Sequence, residues 1–247
     1  MKILVCVTQA PDTTTKIAFT DNDTKLAEAG VTWIINPYDE WYSLVRALEL
    51  KEAGIASTVD LITVGDASVE PVIRKALAIG GDVAVRVNAS TSDTLSVATE
   101  IANYAKAQGY SLVLVGKESI DYNNGSTGAM IAELLDMPFI AGVTKLDLAG
   151  NTATVTREIE GGEEIATCDA PLVLACQKGV AEARIPNMRG IMAARTKPLT
   201  IVEASAANAA TTIDKYEMPP AKSGVRMIDA NNVDELVQLL HTEAKVI

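Results

Sequence analysis

The sequence predicts an α/β protein with an open, mostly parallel sheet, crossover helices, antiparallel hairpins at the sheet edge and a C-terminal arm ending in a helix. In the first half of the chain, short apolar runs alternate with segments whose apolar residues recur three and four positions apart, which is typical of alternating strands and helices. After Met137-Pro138, strand-like runs follow one another with glycine-containing turns between them, which indicates antiparallel pairing.

The strands of the first half are predicted from continuous apolar runs, because a strand covered on both faces has no polar side. They are residues 3–7, 59–64, 83–87 and 112–115. The first helix is predicted to begin at Asn36-Pro37, with Asn36 as its cap and Pro37 in the first helical position, and to end at Gly54. Further helices are predicted around residues 72–80, over 93–107 and over 127–135.

The second half is predicted to contain strands over residues 139–146, 152–159, 164–167 and 172–175. Residues 177–197 hold few apolar side chains and several charged or turn-forming ones, with Met188 apolar in their middle. A long irregular segment in a compact domain is usually functional, so we expect a partner-recognition loop over about 178–197. The alternative is a surface loop whose methionine packs inward.

The chain is expected to divide into a body and an arm. Residues 1–200 are predicted to form the nucleotide-binding α/β domain, which includes the recognition loop. Little periodicity remains from about residue 205 to 228, and a helical pattern returns over 232–245. We therefore expect residues 201–247 to form an arm whose terminal helix docks on the body or on a second subunit.

Composition and charge exclude several classes of function. A formal net charge of −11 without a cluster of lysine and arginine argues against nucleic-acid binding, and no apolar run is long enough for membrane insertion. Cys6, Cys168 and Cys176 lie in apolar runs without metal-ligand spacing, which indicates buried thiols in a reducing, cytoplasmic compartment. A single histidine and the lack of phosphate-loop or nucleophile-elbow motifs predict neither a metal site nor recognisable catalytic side chains.

The best candidate site lies at the carboxyl end of the strand over 112–115. A polar loop there leads into the helix over 127–135, whose first backbone N–H groups lack intrahelical acceptors and can hold a phosphate. Ligands of open parallel sheets bind at strand carboxyl ends, and the polar loop over 9–15 is a second candidate wall. The alternative is a pair of ordinary turns, with Ser126 or Thr127 serving only as a helix cap.

A series of short motifs keeps one order from the first residue to about position 200. They are Pro11-Asp12, Asn36-Pro37 with Glu40, Leu50-Lys51-Glu52-Ala53-Gly54, Arg74 with Ala76-Leu77-Ala78, Gly80 and Asp82, Gly116-Lys117 with Ile120-Asp121, Thr127-Gly128, Thr156-Arg157-Glu158-Ile159 with Gly161-Gly162, and Arg184 with Ile191-Met192, Ala194 and Lys197-Pro198. Each motif is weak alone. The ordered set is specific, and it resembles the beta subunit of electron-transfer flavoproteins.

The resemblance implies an electron-carrier subunit, not an enzyme with catalytic side chains of its own. Such a subunit pairs with an alpha subunit that holds most of the FAD. The pair takes electrons from dehydrogenases, notably acyl-CoA dehydrogenases, and passes them to a quinone reductase or another acceptor. The crevice of the beta subunit would bind AMP, while the redox chemistry belongs to the flavin.

The resemblance also assigns residues to two sites. The cofactor-binding residues that it implies are Cys6, Thr13, Asn36, Pro37, Tyr38, Asp39, Val64, Gly116, Lys117, Asp121, Asn124, Gly125, Ser126 and Thr127. The partner-binding residues are Arg184, Met188, Arg189 and Ile191. Met188 stands where the family usually has leucine, which preserves an apolar contact but makes it more adaptable.

Departures from the family pattern leave alternatives open. Gly125-Ser126 replace the Asn-Gln pair of familiar members, so backbone amides would do more of the nucleotide binding. Thr13 stands where some members have an aromatic residue, a pattern of electron-bifurcating members, which place a second FAD where others hold AMP. With only two Phe and two Trp, we expect little aromatic surface for a whole flavin. A stand-alone adenine-nucleotide-binding protein of the stress-protein type is the third interpretation.

Overall fold

The structure is a computed structural model and describes residues 1–90, 93–205, 207–222 and 224–247. The strands in these ranges are β1 Lys2–Cys6, β2 Gln9–Pro11, β3 Phe19–Thr20, β4 Lys25–Leu26, β5 Trp33–Ile35, β6 Thr58–Val64, β7 Val83–Asn88, β8 Leu112–Gly116, β9 Phe139–Ala149, β10 Thr152–Ile159, β11 Gly162–Asp169, β12 Leu172–Cys176 and β13 Leu199–Glu203. The helices are α1 Glu40–Glu52, α2 Glu70–Ile79, α3 Thr94–Gln108, α4 Thr127–Leu135, α5 Met188–Ala194 and α6 Val233–Leu239. A 3-10 turn over Ala67–Val69 precedes α2, and a π turn over Leu240–Ala244 follows α6.

Nine of these strands form one sheet in the order β11-β10-β9-β12-β8-β1-β6-β7-β13. Seven neighbouring strands, β9-β12-β8-β1-β6-β7-β13, pair in parallel. β10 and β11 extend the sheet beyond β9 as an antiparallel hairpin. The predicted open, mostly parallel sheet with an antiparallel edge is thereby confirmed. Two short antiparallel pairs, β2-β5 and β3-β4, lie outside the sheet.

The strand order creates a switch point beside β1. The chain runs from β1 through α1 to β6 and through α2 to β7, and α3 then returns it to β8 on the other side of β1. Because parallel crossovers are right-handed, this reversal places α1 and α2 on one face of the sheet and α3 and α4 on the other. The connections leave the carboxyl ends of β1 and β8 in opposite directions, which opens a crevice between them.

Alternate residues of β1 point into two separate cores. Ile3 and Val5 pack in the core that includes Leu44 of α1 and residues of α2. Leu4 packs in the core that includes Ile131 of α4 and residues of α3. Both faces of the strand are therefore covered, which is the physical reason for its continuous apolar run.

Two segments differ from the prediction. We expected β12 in the antiparallel part, but it lies between β9 and β8 in the parallel sheet, and all its residues are buried. The segment over 177–197, predicted to be irregular, contains α5. Asn187 caps this helix, since its side-chain oxygen accepts from the Gly190 N–H at 2.8 Å. A helix of seven residues is too short to show a clear apolar period in the sequence.

α5 is tied to the body at its C-terminal end and packs closely on α2 at Gly190. The Arg74 guanidinium donates to the carbonyl oxygens of Ala194 and Lys197 at 2.8 and 2.7 Å. The Lys197 ammonium donates to three carbonyl oxygens at the end of α2, and burial lowers the pKa of this group. Gly190 lies against the carbonyl oxygen of Ala78 in α2. These contacts give α5 a defined orientation on the surface.

The C-terminal arm ends in a helix, as predicted, but the helix is shorter than expected. α6 covers 233–239, and the π turn carries the chain to residue 244. β13 crosses the expected boundary at residue 200 and pairs in parallel with β7, so the sheet of the body extends to Glu203. The apolar side chains of Val233, Leu236 and Val237 on α6 are exposed.

We expect Gly190→Ala to lower the free energy of unfolding by about 1–3 kcal/mol, because a β-carbon at this position would overlap the carbonyl oxygen of Ala78. The thermal midpoint, followed by circular dichroism, measures the change. Gly162→Ala is the matched control, since a β-carbon there meets no described atom within 4 Å. Equal midpoints for the two variants would contradict the packing of α5 on α2.

Candidate functional site

Asp39 and Glu40, at the start of α1, tie together the loops that follow β1 and β8. The Glu40 carboxylate accepts from the backbone N–H of Thr8 at 2.7 Å and from its hydroxyl at 2.6 Å. The Asp39 carboxylate accepts from the Glu118 backbone N–H at 3.0 Å. Both carboxyl groups are buried, and each is 5% exposed. One helix start therefore fixes the chain on both sides of the crevice.

The predicted helix start at Asn36-Pro37 is wrong by a few residues, since α1 begins at Glu40. The buried Asn36 side chain accepts from the Tyr38 backbone N–H at 3.0 Å and donates to the Glu118 carbonyl oxygen at 2.8 Å. The first contact is an Asx turn, which competes with helix geometry for residues 37–39. Asn36 thus shapes the crevice instead of capping the helix.

Gly116, at the end of β8, allows the start of α1 to approach closely. A β-carbon here would lie 2.9 Å from Cγ of Glu40 and 3.1 Å from Cβ of Asp39. Ser43 of α1 donates its hydroxyl to the carbonyl oxygen of Val115 at 2.9 Å, which holds the two elements at this distance. Any larger residue at position 116 would separate the helix from the strand.

Burial dominates the electrostatics of the two carboxyl groups. It raises the pKa of Glu40 from 4.5 to about 8, the negative charges of Asp121 and Asp39 raise it further, and the hydrogen bonds from Thr8 oppose the shift. Burial also raises the pKa of Asp39, against the effects of the Glu118 N–H and the Lys117 charge. Glu40 therefore changes charge near neutral pH.

The start of α4 is organised by Asn124. Its side-chain oxygen accepts from the Ser126 backbone N–H at 2.9 Å and from the Ser126 hydroxyl at 2.6 Å, and its side-chain N–H donates to Thr94. Ser126 occupies the N-cap position of α4, but its side chain makes no capping hydrogen bond, which does not support the alternative in which it serves only as a helix cap. The first amides of α4 lack intrahelical acceptors because of their position. A β-carbon on Gly125 would lie 3.2 Å from the carbonyl oxygen of Lys117.

A cleft of about 1650 Å³ opens beside this junction. It is bordered by the loop after β1, the β3-β4 hairpin, residues 118–123 and residues 209–216 of the arm. Of the predicted cofactor residues, four line it: Thr13, Tyr38, Asp39 and Asp121. Its volume exceeds the range of about 300–1,000 Å³ that is typical of small-molecule pockets.

The remaining predicted cofactor residues lie outside the cleft lining. Asn36, Pro37, Gly116 and Lys117 belong to the junction of α1 with β8, and Asn124, Gly125, Ser126 and Thr127 form the start of α4. Val64 ends β6. Cys6 is buried, and burial raises the pKa of its thiol, so its side chain is neutral at physiological pH. The predicted residues thus fall into three groups, in the cleft, at the junction of α1 with β8 and at the α4 start, with Cys6 and Val64 at the ends of β1 and β6.

Aromatic side chains are concentrated in the cleft. Five of the ten aromatic residues of the chain line it: Phe19, Trp33, Tyr38, Tyr122 and Tyr216. The expectation of little aromatic surface for a flavin is therefore wrong. That expectation counts residue types over the whole chain, whereas three of these five residues, Phe19, Trp33 and Tyr216, come from segments that the sequence does not assign to the site.

The cleft is acidic. Among the described residues that line it, Lys25 is the only lysine or arginine. The Lys25 ammonium forms an ion pair with Asp21 at 2.9 Å. Six lining residues carry carboxyl groups: Asp12, Glu28, Asp39, Asp93, Glu118 and Asp121. This field disfavours an anion inside the cleft. A phosphate is better placed at the α4 start, where backbone N–H groups supply positive potential.

The predicted partner-binding residues lie on and before α5. Met188 is 73% exposed and forms an apolar surface with three other exposed side chains, Ile185, Ile191 and Met192. Arg189 is exposed beside them. Arg184 is held against α1, since its guanidinium donates to both carboxylate oxygens of Glu52 at 2.6 and 2.9 Å.

Comparison with known proteins identifies the family. The family model described as "Electron transfer flavoprotein domain" matches residues 23–207, which is most of the chain. The chain belongs to the electron transfer flavoprotein family. This confirms the resemblance predicted from the ordered motifs.

Relatives within the electron transfer flavoprotein family match almost the whole chain. "Electron transfer flavoprotein subunit beta" of Bacillus subtilis is 36% identical over 262 aligned positions, covering 100% of both chains. The protein of the same name from Syntrophomonas wolfei is 35% identical over 235 residues, covering 94% of this chain and 92% of the relative. "Caffeyl-CoA reductase-Etf complex subunit CarD" of Acetobacterium woodii is 32% identical and covers 99% and 98%. The family's function in electron transfer therefore extends to this chain.

The described residues contain neither a membrane-spanning helix nor a cluster of metal ligands. None of the helices there has both the length and the apolar character needed to cross a bilayer. The same part of the chain holds no group of three or more His, Cys, Asp or Glu side chains arranged for a metal ion.

We expect Glu40→Gln to stabilise the protein at alkaline pH. A pKa raised from 4.5 to about 8 means that Glu40 contributes stability below its unfolded pKa, and that this contribution is lost as the pH rises through the folded pKa. Gln keeps an acceptor for Thr8 without the charge. The free energy of unfolding of the variant, relative to wild type, should increase on the order of 2 kcal/mol between about pH 6 and pH 9.

Urea unfolding at the two pH values measures this difference. Glu160→Gln is the matched control, because Glu160 lies exposed in the turn between β10 and β11. A Glu40→Gln variant with the same pH profile as wild type would contradict the raised pKa.

Proposed function

We propose that this chain is the beta subunit of a heterodimeric electron-transfer flavoprotein. Its alpha subunit would hold most of the FAD, and the pair would accept electrons from a dehydrogenase, with an acyl-CoA dehydrogenase as the first candidate. A quinone reductase or another carrier would then receive the electrons. The observation that supports this best is the full-length similarity to relatives named as subunit beta.

We propose that the crevice between β1 and β8 holds AMP. The amides at the start of α4 would bind its phosphate, and the exposed Gly125 has no side chain that could cover the main chain there. The uncharged base would point toward the aromatic cleft, where carboxylates disfavour the phosphate. FAD, when bound, supplies the redox chemistry, while this chain contributes position, burial and nearby charge.

The arm supports association with an alpha subunit. Val225 and Met227 are almost fully exposed, and three apolar residues of α6 are exposed as well. A run of apolar side chains without burial in the same chain is typical of a surface that a partner covers. The part of the arm beyond residue 216 would thus dock on the alpha subunit.

The surface around Met188 supports recognition of a dehydrogenase. Ile185, Met188, Ile191 and Met192 present an apolar patch on a helix that is tied to α2, so the patch is preorganised for binding. Arg184 would act indirectly, since its contact with Glu52 positions the segment before α5. Arg189 would contribute charge at the rim.

The alternative is a subunit of an electron-bifurcating flavoprotein with a second FAD in the crevice. The size of the cleft and its five aromatic residues favour this alternative, and so does the similarity to CarD, a subunit named for a caffeyl-CoA reductase complex. A stand-alone adenine-nucleotide-binding protein has less support. It would need no exposed apolar arm and no apolar patch on α5.

Co-expression with a candidate alpha chain tests the proposal. We expect a yellow complex with one copy of each chain, and denaturation of the pure complex should release FAD and AMP in equal amounts, identified by mass. Two FAD without AMP would support the bifurcating alternative. Failure to associate with any alpha chain from the same genome, together with ATP binding by the chain alone, would support the stand-alone alternative.

We expect Met188→Glu to slow reduction of the flavin by the partner dehydrogenase at least about ten-fold, because a carboxylate would be buried in the contact. Flavin content and heterodimer formation should not change. Stopped-flow reduction with the dehydrogenase as electron donor measures the rate. Ile165→Glu is the matched control, since Ile165 is 70% exposed on β11, away from α5. Equal rates for the two variants would contradict the assignment of the patch.

A further inference from the structure

The proximal part of the arm is bound to the body and forms one side of the cleft. We call residues 209–216 the strap. Ala209, Thr211, Thr212, Ile213 and Tyr216 of the strap line the cleft. The arm beyond the strap has mainly exposed side chains, Met218, Val225 and Met227 among them. The strap and the distal arm therefore have different environments.

The strap is attached at both ends. At its start, the backbone N–H and the hydroxyl of Thr211 donate to one carboxylate oxygen of Asp93, at 2.9 and 2.6 Å. At its end, the backbone N–H of Tyr216 donates to the carbonyl oxygen of Asp23 at 2.7 Å. Asp93 precedes α3, and Asp23 lies in the β3-β4 hairpin, so the strap spans the cleft between two separate parts of the body.

Tyr216 also joins the two aromatic sides of the cleft. Its ring stacks on Phe19 with centroids 5.0 Å apart and an interplanar angle of 12°. Its hydroxyl lies 3.2 Å from the hydroxyl of Tyr122, in the loop before α4. One residue of the arm thus links the hairpin after β1 with the loop after β8.

The chemistry of the lining restricts what can bind there. Stacking surface is provided by Phe19, Tyr122 and Tyr216, whereas the carboxylates of the lining repel anions. A planar, uncharged ring meets both conditions. An aromatic platform stabilises each base that stacks on it, whatever the identity of the base.

We propose that the strap completes the binding site, and that Tyr216, with Phe19 and Tyr122, forms an aromatic clamp that retains the base of the nucleotide. The clamp rests on the proposed function, because that function places an adenine nucleotide in the crevice. The same arm then holds a ligand through its strap and a subunit through its distal part.

Tyr216→Ala removes both clamp contacts, and Tyr216→Phe removes only the hydroxyl contact with Tyr122. In the purified heterodimer loaded with etheno-AMP, a fluorescent AMP analogue, we expect roughly ten-fold faster release from the alanine variant. The phenylalanine variant should release the probe within about three-fold of the wild-type rate, because the stack is preserved. Met218→Ala, in the exposed arm just beyond the strap, is the matched control.

A second measurement follows the strap without any nucleotide. Trp33 lines the cleft, and in a Trp41→Phe background it is the only tryptophan of the chain. Tyr216→Ala should increase acrylamide quenching of Trp33 roughly two-fold, since the cleft opens when the strap is released.

The possible outcomes distinguish a failure of the clamp hypothesis from a failure of the proposed function. A wild-type heterodimer that binds no etheno-AMP contradicts the nucleotide assignment itself. A bound probe whose release is the same in wild type and Tyr216→Ala contradicts the clamp alone. Unchanged quenching of Trp33 in Tyr216→Ala also contradicts it.

Discussion

The architecture of the site depends on two adjacent carboxyl groups buried at the start of α1. Glu40 holds Thr8 after β1, and Asp39 holds Glu118 after β8. An open parallel sheet always has a crevice at its switch point, but the fold alone leaves the loops around it without fixed positions. Burying two carboxyl groups is costly unless their hydrogen bonds are satisfied. The buried carboxyl groups need hydrogen-bond donors, and the backbone N–H groups of the two loops supply them. The same hydrogen bonds therefore fix the loops in place.

Much of the sheet can be predicted from the sequence. A short strand that is buried on both faces has a continuous run of apolar residues, and such runs mark the central strands of this chain. The central position of β12 was missed for a physical reason: it follows a hairpin, so sequence order suggested antiparallel pairing although its five apolar residues indicate a central strand. The start of α1 was misplaced because a cap and an Asx turn use the same residue type. α5 was missed because its single cap, Asn187, precedes only seven helical residues.

The candidate site can be predicted from the sequence where its residues are close together in the chain. It cannot be predicted where they are far apart in the chain. The α4 start follows from a strand, a polar loop and a helix in succession. The aromatic side of the cleft brings together Phe19, Trp33, Tyr122 and Tyr216, which are up to almost two hundred positions apart. No spacing rule connects such residues. The resemblance to a family located the neighbourhood, and only the three-dimensional structure brought the arm to it.

Gly116 and the loop after it differ in how much change they tolerate. At position 116 even one methyl group would meet α1, whereas residues 119–126 lie at the surface with one face toward the crevice. Mutations can thus accumulate at the exposed positions 121–123 while Gly116 and Asn124 keep the α1 contact and the α4 start in place. A protein divided in this way can change the surface of one loop without losing the scaffold beneath it.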